Sequence, residues 1–349
     1  MKRLIFFYAL VALYSGTLTA SPSDFATQHA ISATSIATLQ QTITHNIFSA
    51  FAHPAPHTIH TQPATSSLPQ IYGTMPTYGE YNDDGVIGRN GGDTRAPLSN
   101  IWVDWQYAFD DITPDNFDRF DLRHNLVTLG ISGHQKKTTY GHYNWNFYGG
   151  YVNGSLDNND INTDEHGGFI GLHNNLSTRN IIINSMINAG SIKNTTVYSS
   201  LSDDHINIWF GAAANIAYKF SVNDLFTIYP NISIGYTWVK NQTTKSVYGD
   251  DLQNQTFGFI TATPALNIGT HISNNWFGTL FVKHTLLSNT ADHITINDTD
   301  LTIPTLNNYT EYGLSIEKHL TSFDFKINFS RRDGGIEGWT GGINIKYMF

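Results

Sequence analysis

Several groups of residues in this 349-residue chain have the chemistry for a site. His284 and Ser288 stand four apart in a stretch that alternates apolar and polar residues, so both fall on one face of a strand. An imidazole beside a hydroxyl is the beginning of a serine nucleophile, which also needs a third group to orient the imidazole; no motif around His284 supplies one, and no catalytic residue is assigned. His53, His57 and His60 crowd one tract. Metal ligands need a fixed geometry, which a Pro-rich segment does not provide, so no metal or cofactor is expected and the histidines read as scattered exposed side chains. Glu311, Glu317, Lys326 and Lys346 sit on the polar side of alternating segments and are candidates to line a polar interior, solvated or paired across strands. Tyr347 and Phe349 end the chain on bare aromatics. No phosphate loop or nucleotide fingerprint is present.

The elements that must position these residues are strands. From about Asn100 onward period-two alternation recurs. In Leu225–Lys240 the even positions Phe226, Ile228, Pro230, Ile232, Ile234, Tyr236 and Trp238 are apolar or aromatic, and most odd ones are polar or small. In the segment 321–332, Phe323, Phe325, Ile327 and Phe329 alternate with Asp324, Lys326, Asn328 and Ser330. One apolar face per strand follows from the side-chain period of two. Twelve such segments are read, near 99–109, 120–134, 141–155, 164–176, 179–192, 205–221, 225–240, 253–271, 274–288, 307–319, 321–332 and 338–349. Their roughly 10 to 17 residues exceed the usual strand of about 5–6 and suffice for a membrane strand of about 9–11. Trp and Tyr recur near strand ends, as in interfacial girdles. The connections are expected to alternate between tight turns and longer polar loops, with 332–337 counted among the loops. Short periplasmic and long extracellular links are the habit of outer-membrane barrels.

Composition agrees. Charged residues and aromatics are each 13% of the chain, cysteine is absent, and the net charge of −9 argues against a nucleic-acid partner. Met1-Lys-Arg, the apolar run Leu4–Leu13 and small residues up to Ala20 have the order of a secretory signal peptide, 1–20. Residues 21–52 contain an amphipathic helix pattern, with Ile36, Leu39, Ile43, Ile47 and Phe51 at spacings of three and four. About 28 residues would span about 40 Å, enough to cross a bilayer inside a pore. Residues 53–98 are Pro- and Gly-rich and read as linker.

The chain resembles the autotransporter β-domain, the translocator barrel of type V secretion, over about residues 99–349 and more loosely over the helix. Asn125–Gly133 followed by Trp145–Val152 is similar to the family's Gly-rich early strands, Ala212–Phe220 followed by Tyr229–Thr237 to its central hairpin, and Tyr312–Ile316, Phe323–Ser330 and Gly338–Phe349 to its closing strands. The resemblance implies a 12-stranded antiparallel transmembrane β-barrel, all-β, in the bacterial outer membrane, a monomer in contact with lipid. It implies that barrel-assembly machinery and periplasmic chaperones deliver the chain, reading Tyr347 and Phe349 as an insertion signal. It also implies a helix that ends in the lumen and a pore that exports or anchors the upstream segment at the cell surface. Asn344 stands where such terminal strands commonly carry glycine, and residues 21–98 are too few for the usual passenger. Two other readings remain. One is a passenger-less porin or adhesin-like barrel. The other is an outer-membrane phospholipase, also a twelve-stranded barrel, to which His284 and Ser288 would belong.

Overall fold

The computed structural model describes residues 22–51 and 98–349, apart from stretches of one to five residues within the connections. The proposed signal peptide, and almost all of the linker with its three histidines, lie outside the described residues.

One helix, α1 (Pro22–Phe51), precedes twelve long strands: β1 (Leu98–Ile112), β2 (Phe120–Gly133), β3 (Gly141–Asn158), β4 (Ile161–Ser177), β5 (Ile181–Tyr198), β6 (Leu201–Tyr218), β7 (Phe226–Asn241), β8 (Thr256–Ser273), β9 (Trp276–Asn289), β10 (Tyr309–His319), β11 (Phe323–Gly334) and β12 (Ile336–Met348). Each pairs antiparallel with its neighbours in the chain. The last, β12, returns to β1 in continuous register from Asn100↔Met348 to Ile112↔Ile336. The ladder is therefore a closed barrel with no free edge, as backbone groups in hydrocarbon require. Both sheet termini lie at one end of the barrel, the terminal end. The connections after β1, β3, β5, β7, β9 and β11 lie at the other, the loop end.

Alternation sets the two faces. In β7 the even positions point outward, with Ile234 59% exposed, while Tyr229, Thr237 and Val239 are buried toward the lumen. The outer surface carries Ile170, Leu280, Phe329 and many more large apolar side chains in the open. A soluble protein does not leave such a band uncovered; a lipid-facing wall requires it.

Connection lengths sort less cleanly than expected. Strands β3 to β6 run 17 or 18 residues, because their ladders continue to Asn158↔Ile161 and Tyr198↔Leu201 at the loop end. Backbone pairing extends through Asp157 and Asn162 and through Thr195 and Asp204, whose polar side chains read as loop in sequence. The segment 332–337 is likewise mostly strand: Gly335 alone separates β11 from β12, beside Gly334 at φ +120°, a conformation few other residues adopt. Only 242–255 and 290–308 make long loops. They pair with each other through 252–253, 293–296 and 299–302, the hairpin turning at Asn297 and Asp298 with positive φ. Ile294 and Ile296 of this small sheet join the same apolar cluster as Ala30 and Ile31 of α1.

Two apolar rows cross the lumen wall of β1–β6, built from rings laid over glycines. Trp102, Gly130, Tyr148 and Gly171 stand side by side across β1–β4, and Gly150, Phe169, Gly190 and Trp209 across β3–β6. A Cβ on Gly130 would overlap the Trp102 ring, one on Gly171 the Tyr148 ring, and one on Gly150 the Phe169 ring. Glycine thus lets each ring lie flat against the neighbouring strand. Successive rings are 6.0–6.3 Å apart between centroids, within aromatic contact.

Candidate functional site: the plugged lumen

Helix α1 fills the barrel. Ile31, Ile36, Leu39 and Ile43 are at most 1% exposed, but so are Gln28, His29, Ser32, Ser35 and Thr38. The helix is thus buried all round, unlike an amphipathic helix with a water face, and its polar side chains meet a polar wall. At about 1.5 Å per residue its 30 residues span about 45 Å, the height of a membrane with its headgroups.

Its direction follows from its partners. Gln28 Nε2 donates to Thr163 Oγ1 (2.8 Å) near the start of β4, and His29 meets Asp203 (2.7 Å) and Gln255 (3.2 Å), all at the loop end. About two turns further, Ser35 Oγ donates to Glu165 (2.7 Å), which also holds His124 Nε2 (2.9 Å). Serine, histidine and carboxylate are together here, but both oxygens address the same imidazole nitrogen, so the relay a nucleophile needs is not formed. At the terminal end, Lys326 Nζ donates to the Ser49 carbonyl (3.1 Å), where a cation suits the negative end of the helix dipole. The amino end of α1 thus faces the loop end, and among the described residues the lumen is crossed by this helix alone.

Between these ends lies a charge cluster. Arg332 donates to Asp110 (2.6 Å), Glu311 (3.0 Å) and Thr42 Oγ1 (3.2 Å), while Lys283 reaches Glu311 at 3.0 Å. Tyr309 donates its hydroxyl to Gln41 Oε1. Two acids balance two bases, so the buried cluster carries no net charge. Beside it, on the side of α1 away from the aromatic wall, a cavity of about 120 Å³ remains, bounded by Gln40, His45 and Ser49 of the helix and by Asn215, Lys283 and Lys326 of the wall.

The structure places the four candidate charges as follows. Glu311 is 1% exposed and central to the cluster; Lys326 is buried against the helix. Glu317 and Lys346 line the terminal mouth, where Lys346 pairs with Asp324 (3.5 Å) and Glu317 stands 3.6 Å from His319. Asp110, Lys283 and Arg332 are equally engaged and were not singled out from sequence, although Asp110 shares strand parity with the lumen-facing Asp104 and Gln106. Asn344, the departure from the terminal-strand pattern, donates to Asp104 Oδ1 (3.3 Å) across the β12–β1 seam. Tyr347 and Phe349 point outward, ring beside ring at 5.3 Å. His284 and Ser288 do share the outer face, but His284 Nδ1 is occupied by the neutral Thr310 hydroxyl (3.0 Å).

No family model and no curated protein matches the sequence. Solved structures do match in fold. The transport unit of the autotransporter AIDA-I from Escherichia coli aligns with TM-score 0.61 at 14% identity, covering 74% of this chain and 93% of that one. The β-domain of the Bordetella autotransporter BrkA aligns with TM-score 0.61 at 10% identity, covering 72% and 100%. The translocator domain of NalP from Neisseria meningitidis aligns with TM-score 0.58 at 12% identity, covering 73% and 90%. The fold is that of autotransporter translocator barrels.

Proposed function

We propose that this chain, with the fold of an autotransporter translocator domain, is an outer-membrane pore that carries or anchors its upstream segment at the cell surface, and that α1 is the plug left after that passage. The observation that carries the reading is the single pass of α1 through the lumen with its amino end at the loop end. A chain anchored so presents the amino end of α1 on the loop side, which in outer-membrane barrels is the extracellular side. The signal peptide read in residues 1–20 would bring the chain to the periplasm, and the assembly machinery would insert it.

Planar-bilayer conductance tests this. The full barrel should conduct little, and a variant lacking residues 22–51 should show large, steady openings. Equal conductance of the two would instead support a constitutive porin using the cavity beside the helix, and would rule out the plug.

A further inference from the structure

We propose that His29, Asp203 and His205 form a site for a divalent first-row transition cation that ties the plug helix to strand β6. Asp203 and His205 are two apart and share the lumen face of β6, and His29 comes to them from α1. All three are buried, and their candidate ligand atoms lie within 4.8 Å of one another.

The hydrogen bonds around the cluster decide which ring nitrogens are available. The Ser32 hydroxyl donates to the His29 carbonyl (3.0 Å), so toward His205 Nε2 (3.0 Å) its oxygen accepts. His205 therefore carries its proton on Nε2, and Nδ1 presents a lone pair. That Nδ1 is buried with no hydrogen-bond partner and faces Asp203 Oδ2 at 3.8 Å. Two acceptors confronting each other away from water are unfavourable unless a cation sits between them. His29 has the matching arrangement: Nδ1 meets the Gln255 carbonyl oxygen (3.2 Å) and Nε2 turns toward Asp203 Oδ2 (2.7 Å). An outer polar group on one ring nitrogen and the cluster on the other is how metal-binding imidazoles are held.

The spacing also fits. Ligand atoms about 2.1 Å from a tetrahedral zinc ion stand about 3.4 Å apart, and the two contacts to Asp203, 2.7 and 3.8 Å, bracket that value. Two imidazoles and a carboxylate suit Zn²⁺ and its neighbours better than Ca²⁺ or Mg²⁺, which prefer all-oxygen sets. Three protein donors leave a fourth position for water. The site rests on the seated helix alone, so it can fail while the translocation reading stands, and the reverse.

The test is calorimetric titration of Zn²⁺ into the chelator-treated, folded full-length barrel in detergent. Folding is checked by the temperature at which the compact band on a denaturing gel is lost. One zinc ion per chain is expected, with a rise in that temperature. Asp203→Asn, which keeps the size of the side chain and removes its charge, and His205→Ala should each weaken binding at least tenfold. A His53→Ala/His57→Ala/His60→Ala variant should bind as the parent does. Co²⁺ should give the intense visible bands of a four- or five-coordinate site. No binding by the folded parent, binding unchanged in Asp203→Asn, or binding lost in the linker variant would each overturn the proposal. If His205→Ala does not fold, Asp203→Asn alone decides.

Discussion

Arg332 shows what single residues do in this lumen. Its guanidinium serves two carboxylates and a helix hydroxyl at once, all of them buried. Replacing it by Met removes the donor, leaves Asp110 without its partner, and leaves Glu311 paired with Lys283 alone. Breaking a buried pair from one side costs about 3–5 kcal/mol. Arg332→Met should therefore unfold at lower urea than the parent, with Glu311→Gln/Arg332→Met recovering part of the loss. A double variant no better than the single would show that the pairing itself is not what matters. Glu311 and Lys326 could be found in the sequence because each interrupts an apolar alternation. His29, Asp203 and Glu165 could not, since the contacts they make between helix and wall join positions 130 or more apart, which only ring closure brings together.

At the scale of elements, strands and helix differ in how they are specified. Alternation located all twelve long strands. Their ends were harder, because the backbone ladder of β3–β6 continues through residues that are polar on both faces. Period two in sequence needs one apolar face, and in these extensions inward residues such as Thr163, Thr196 and Asp203 are polar although buried, so both faces read alike. The helix was visible by its spacing of three and four, but its Thr, Ser and Gln side was not legible as a binding surface. Thr34 and Thr38 turn back to the helix's own carbonyls, whereas Gln28, Ser35 and Gln41 find their partners on the wall. The aromatic–glycine rows belong at this level too. Gly130→Ala puts a methyl group into the Trp102 ring and should destabilise the barrel by about 1–3 kcal/mol, the usual cost of overpacking. Unfolding in urea measures it. The same change in a Trp102→Ala background should cost much less; an equal cost would place the effect in strand propensity.

For the whole molecule, closure at the β12–β1 seam is the decisive event, and it involves the last residues of the chain. Phe349 N–H donates to the Ser99 carbonyl (3.1 Å), and Tyr347 packs on Phe323 at 4.9 Å. Deleting Phe349 is expected to lower the amount of folded barrel in the outer membrane several-fold, read as heat-modifiable protein in membrane fractions. Unchanged assembly would remove the role proposed for this terminus. Direction gives a second prediction. Phe51 and Leu98 both lie toward the terminal end, so protease added to intact cells should spare residues 53–97 yet remove a tag placed just before Pro22. Cleavage within 53–97 would mean that this segment, too, reaches the surface.

That same arrangement makes the segment between helix and barrel a leash. Residues 52–97 can reach at most ~165 Å when drawn out, between three and four times the length of the helix they hold. If the polar bonds along the plug were undone, the helix could leave through the loop-end mouth and remain covalently tied to the wall it came from. The chain would then still run through the pore, slack enough to let the plug return. What limits opening is therefore the strength of the side-chain joints at His29, Ser35, Thr42 and Ser49, not the tether.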